Sequence, residues 1–136
     1  MGNSTTFLTI PAGQKLGTEV CYFEREVDFT KETLAVDGTM DVLRLPKGAV
    51  PVRAGWITKT VNTNADAKLA VGVASASLAI QAAAVLGNAN AVTMTALTAS
   101  KVLTAEDTLR ITCTAAALAQ AKVVVFCEYF VSDACR

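Results

Sequence analysis

Residues 39–62, TMDVLRLPKGAVPVRAGWITKTVN, decide how this chain folds. In the first seven positions Met40, Val42 and Arg44 point one way, while Asp41, Leu43 and Leu45 point the other. That two-residue period is the mark of a strand. Pro46-Lys47-Gly48 then interrupts it: proline lacks an amide donor, and glycine accepts a positive φ. The chain resumes through Val50, Val52, Trp56, Ile57 and Val61, rich in β-branched and aromatic side chains. The stretch reads as a hairpin of two strands joined by a tight turn. Such a pair is marginal alone in water and needs a partner sheet.

Working outward, residues 20–29 show the clearest alternation. Cys21, Phe23, Val27 and Phe29 share a face with Arg25, opposite Val20, Tyr22, Glu24, Glu26 and Asp28. This predicts a half-buried antiparallel strand with an acidic outer face. Asp37-Gly38 signals a turn in the connection that follows. Downstream, residues 62–66 make a polar turn, and residues 68–74 a strand in which Gly72 marks a bulge or close approach. Residues 75–86 are the one helical candidate, with Ser75 or Ser77 as cap, an Ala-rich body and Gly87 as its stop. Residues 92–97, 108–114 and 122–131 read as further strands, the last third forming a meander. The final strand is apolar on both faces, with Val123, Val125, Cys127, Tyr129 and Val131 against Val124, Phe126 and Phe130. One face would meet the domain's own second sheet, and the other a neighbouring molecule.

About seven to nine short strands and one brief helix predict an all-β fold, a jelly-roll-like antiparallel β-sandwich. The expected organisation is an N-terminal arm over residues 1–16 and a single sandwich domain over residues 17–136. The arm carries Phe7, Leu8 and Ile10 ahead of Pro11-Ala12-Gly13.

Composition narrows the chemistry. Twelve basic residues balance twelve acidic ones, which argues against a dedicated nucleic-acid binder. The apolar residues of the uncharged run over residues 69–100 are mostly Ala, and Ser, Gln, Gly and Asn break it, so no membrane span is expected. The start, MGNSTTFLTIPAG, lacks a secretory pattern, so reduced thiols are expected, although Cys127 and Cys135 are close enough in sequence to pair. Absence of histidine removes the usual general base and the commonest metal ligand. The four cysteines show no zinc spacing, and no glycine-rich phosphate cradle occurs. Glu24, Glu26 and Asp28 on one strand face suit a metal or acid catalysis, but a solvated face accounts for them. Trp56 suits stacking on a sugar or base, or an anchor in a core or interface.

One order of motifs carries a resemblance: Asp41-x-Leu43-x-Leu45-Pro46-x-Gly48, Trp56-Ile57, Leu69-Ala70-Val71-Gly72-Val73, Asp107-Thr108-Leu109-x-Ile111-x-Cys113, then a valine-rich closing strand. Over roughly residues 17–132 this arrangement resembles the capsid decoration or cement proteins of tailed bacteriophages, such as that of a short-tailed phage infecting Bordetella. The resemblance implies a virion protein made in the host cytoplasm and carried on the capsid exterior. It would bridge neighbouring major capsid proteins as a homodimer or homotrimer, with no enzymatic activity, cofactor, metal, nucleic acid or membrane. Phe7, Leu8, Ile10, Trp56, Phe126 and Phe130 are its expected interface residues. The alternatives are a carbohydrate-binding jelly-roll module of a phage appendage, and a sandwich enzyme using Glu24, Glu26 or Glu128.

Overall fold

The computed structural model describes residues 20–75, 78–96 and 100–131. Eight strands run in order: β1 (Val20–Asp28), β2 (Thr39–Leu45), β3 (Ala49–Thr60), β4 (Lys68–Val73), β5 (Ala79–Val85), β6 (Val92–Ala96), β7 (Asp107–Thr114) and β8 (Lys122–Val131). They form two four-stranded antiparallel sheets, ordered β1-β8-β3-β6 and β2-β7-β4-β5. Among consecutive strands only β4 and β5 are neighbours in one sheet; every other connection crosses between the two. Eight strands alternating between two sheets in this order make the jelly roll.

The crossings correct the expected hairpin. β2 pairs with β7, whereas β3 pairs with β8 and β6, so the tight turn at residues 46–48 joins the two layers instead of two neighbours. Gly48 at φ 88° directs its amide to the carbonyl of Leu103, 2.8 Å away, and Leu103 returns a bond to Ala49 at 2.9 Å. The turn is thus stitched to a distant segment. The expected meander fails for the same reason, since β7 lies in the second sheet and β8 in the first. Alternation reports which face of a strand is buried, and it carries no information about which strand lies alongside.

The expected helix over residues 75–86 is also corrected. Residues 79–85 are β5, antiparallel to β4 with Lys68 opposite Val85 and Gly72 opposite Ala79. Alanine's helix preference is worth only tenths of a kcal/mol per residue over common alternatives, and two turns lie below the length that holds in isolation. Pairing gives β4 its second neighbour and lets Ile80 and the following Leu86 reach the core.

The core lies between the layers. The first sheet contributes Val27, Ala54, Trp56, Val123, Val125 and Cys127, and the second Leu45, Leu69, Leu109, Ile111 and Cys113. A register shift between Asp41 and Leu43 turns β2 so that Val42 and Leu45, three apart, are both buried. Trp56 ties the layers: its indole Nε1 donates to the Leu86 carbonyl at 3.3 Å, and the buried Thr58 hydroxyl donates to the same oxygen.

Candidate interaction surface

The two outer faces differ in chemistry. On the second sheet, Asp41 and Arg110 are cross-strand neighbours joined by a 2.7 Å ion pair, and Arg44 pairs with Glu106. These groups are largely exposed and give a solvated face. The first sheet sets exposed aromatic and aliphatic side chains among its charged ones.

Its register explains why. On β8 the outward residues are Lys122, Val124, Phe126, Glu128 and Phe130, alternating with the core row of Val123, Val125, Cys127 and Tyr129. β1 sets Val20, Tyr22, Glu24 and Glu26 beside them, and β3 sets Val50, Arg53, Gly55 and Ile57 on the other side. β6 closes the face with Val92 and Met94 opposite Ile57 and Gly55. The Tyr22 ring stacks on Phe126 with centroids 6.0 Å apart, leaving Phe126 5% exposed and Tyr22 50%. Val20, Val92 and Met94 are comparably open at 60%, 55% and 49%. These apolar groups open to solvent make this face the candidate interaction surface.

Near the middle of this face lies one charged pair. Arg53 and Glu128 are cross-strand partners, with Nε 3.4 Å from Oε2. That contact falls short of a hydrogen bond, and the buried Nε has no acceptor among the described residues.

The residues singled out in the sequence fall in different places. Phe126 and the half-buried Phe130 lie on this face. Trp56 is wholly enclosed between the layers, so its ring is not part of the surface. Phe7, Leu8, Ile10 and Cys135 lie outside the described residues. Val20 and Tyr22 lie on the outer face that the alternation of residues 20–29 predicts, whereas nothing in the sequence singles out Val92 and Met94. The exposure of all four depends on β1 and β6 being edge strands.

The acidic residues do not converge. Glu24 accepts a 3.0 Å bond from the Tyr22 hydroxyl, and Glu128 faces Arg53. Asp28 caps the following turn, accepting from the Thr30 hydroxyl and amide; the hydroxyl bond chiefly holds its pKa below the usual carboxylate range. No group of three or more metal-ligating side chains occurs among the described residues. Cys21, Cys113 and Cys127 are free thiols. Burial pushes the Cys127 thiol up to about 12 and raises that of Cys113, which suits packing and opposes nucleophilic use. A cavity of about 340 Å³ between the β3–β4 and β5–β6 connections is lined by Asn62, Asn64 and Asn88 among others. Asn62 is already committed there: its Nδ2 donates to the carbonyls of Asn64 and Ala117, and its Oδ1 accepts from the amides of Ala119 and Gln120.

The sequence matches no protein-family model and no curated protein. The fold does have counterparts among solved structures. A chain in the capsid asymmetric unit of cyanophage Pam1 matches with TM-score 0.68 and 22% identity, over 96% of this chain and 97% of that one. A chain of the capsid of Ralstonia phage GP4 matches with TM-score 0.60 and 18% identity, over 92% and 91%. A chain of the acid-stable capsid of Helicobacter pylori bacteriophage KHP30 matches with TM-score 0.59 and 17% identity, over 87% and 92%. All three are phage capsids. At these identities the shared property is the fold, matched along nearly the whole of each chain.

Proposed function

We propose that this chain is a structural protein of a phage virion that binds the outer surface of the assembled capsid and cements neighbouring major capsid proteins. The observation that carries the reading is the end-to-end match of one small jelly roll to chains of three phage capsid structures. A molecule that binds only the assembled lattice stabilises it by mass action, repeated over every copy. The chain acts as a homo-oligomer. Its apolar sheet face and the arm residues Phe7, Leu8 and Ile10 supply contacts to neighbouring subunits.

The test is co-sedimentation of purified protein with capsids lacking it. Saturable binding to assembled shells, absent with free capsid subunits and lost on deletion of residues 1–16, supports the reading. A folded protein that fails to bind shells overturns it. Binding on a glycan array would then point to a carbohydrate-binding module of a phage appendage.

A further inference from the structure

We propose that β6 is a docking edge, to which an extended, uncharged segment of a capsid subunit adds as a fifth strand of the first sheet. The proposal rests on the reading of the chain as a capsid-binding protein and names the element that makes the contact. Its test compares variants with wild type on the same shells, so the failure of either can be told from the failure of the other.

An edge strand leaves a row of N–H and C=O groups unpaired, and proteins blunt such rows with charge, bulges or a covering side chain. Among the described residues, three of the four edges carry such a device. β1 is charged at Glu24, Arg25 and Glu26. β2 bears Asp41 and Arg44, and its register shifts between Asp41 and Leu43. Arg25 also reaches over to donate to the carbonyls of Asp41 and Val42, at 3.1 and 3.4 Å. β5 is uncharged, but its register against β4 shifts twice. β6 has none of these devices. Residues 92–96, VTMTA, include no charge and no proline, and they keep an unbroken register with β3 from Ile57 opposite Val92 to Arg53 opposite Ala96. Among the described residues its only sheet neighbour is β3.

The ladder fixes which groups are on offer. The Thr58 amide donates to the Ala91 carbonyl at 2.9 Å, so Ala91 faces β3. Direction alternates along an antiparallel strand. Thr93 and Thr95 therefore face β3 as well, and Val92 and Met94 direct their N–H and C=O groups away from the sheet. A strand laid along this edge would bond to both residues through its own backbone and set side chains beside their half-exposed ones. Backbone bonds then supply the attachment and alternate side chains the selectivity. Neither β6 nor β5, which meets it through the Gln81–Thr95 hydrogen bond, offers a charge to pair with one on the incoming strand. An uncharged segment is the one that loses no ionic solvation without return.

The size of the edge decides between occupants. Five residues at about 3.4 Å each make a strip about 17 Å long. Pairing along it buries far less than the roughly 1,200 Å² of a stable free complex, so two copies meeting edge to edge would not hold together in solution. A segment already fixed in a shell is a different case. Its backbone is presented in place, and each weak contact is repeated over many copies.

Proline separates backbone from side chain at this edge. Met94→Pro removes the outward N–H and leaves the bonds to β3 in place, so it should keep the wild-type circular dichroism. Met94→Ala trims the side chain and keeps the N–H. In co-sedimentation with capsids lacking the protein, Met94→Pro should bind at least about tenfold more weakly than wild type, and Met94→Ala should stay within about threefold. Hydrogen exchange read by mass spectrometry needs no variant. The amides of Val92 and Met94 should exchange fast in the free protein and become protected on shells. Should Met94→Pro fail to fold, this measurement decides alone. Wild-type binding by Met94→Pro, or unprotected amides in the bound protein, overturns the proposal and leaves the capsid-binding reading standing. Met94→Ala binding as weakly as Met94→Pro does the same, because the side chain would then be the contact. Wild-type protein that does not bind shells overturns that reading and the docking edge with it. Protection of these amides in the free protein, with a mass above one chain that Met94→Pro abolishes, would assign the edge to a contact between copies and overturn the proposal equally.

Discussion

Gly55 sits mid-strand in β3, where a Cβ would lie 1.9 Å from the carbonyl oxygen of Thr93 and 2.7 Å from the Cα of Met94. Both are backbone atoms of β6 and cannot turn aside. The missing side chain is what lets the edge strand lie so close. Gly55→Ala should therefore push β6 away and lower stability by about 1–3 kcal/mol, read as a drop in the denaturant midpoint. A wild-type midpoint would mean that β6 is not held at this distance. Nothing in the sequence set Gly55 apart from the apolar run around it, because a close approach is a property of two strands. Asn62 was equally illegible. It read as the first residue of a polar turn, yet it is 8% exposed and holds four backbone groups. Trp56 shows the reverse case: its size alone made it an anchor, and the anchor is to the core.

At the level of elements, strand faces were legible and strand neighbours were not. Residues 122–131 were read as a strand apolar on both sides, and β8 has those bounds, a buried inner row and a nearly buried Phe126 outside. Phe23 shows the limit of pattern. Its parity is that of the core row, yet it is 46% exposed at the open edge of the sheet, where its ring stacks on Tyr129. β5 fails differently, since alanine supports helix locally and the free edge of β4 decides otherwise. This yields a prediction at Ala82, an exposed position of β5. Threonine there lowers helix propensity and raises strand propensity. Ala82→Thr should leave stability unchanged or raise it by a few tenths of a kcal/mol, measured by thermal melting. A clear loss would favour a helix at residues 79–85.

For the whole molecule, the absence of histidine and the positions of the other ionisable groups set how stability responds to pH. Among the described residues, four carboxylates are held below their usual range. A hydrogen bond from Thr30 does this chiefly at Asp28, one from Arg110 at Asp41 and one from Arg44 at Glu106. At Asp107 desolvation acts upward, and bonds from the Ser75 hydroxyl and the Thr108 amide outweigh it. Each of these groups holds its proton less tightly folded than unfolded. Their contribution is complete above the unfolded carboxylate values near about 4 and disappears as pH falls through the lower folded values. The buried thiols act in the opposite sense. Desolvation raises Cys113, and it raises Cys127 to about 12. An unfolded thiol ionises near about 8.5, so the folded chain keeps protons that the unfolded chain has shed. That contribution is complete below about 8.5 and is lost as pH rises towards the folded values. With no histidine, side chains of ordinary pKa leave the interval between these limbs empty. The denaturant midpoint should accordingly be flat from about pH 5.5 to about 8 and fall on both sides. Cys127→Val, close in volume and without a proton to lose, should make the alkaline fall shallower and leave the acid limb in place. A step in the midpoint near pH 6–7 would contradict this account, because no side chain with an ordinary pKa in that interval exists in the chain to produce it.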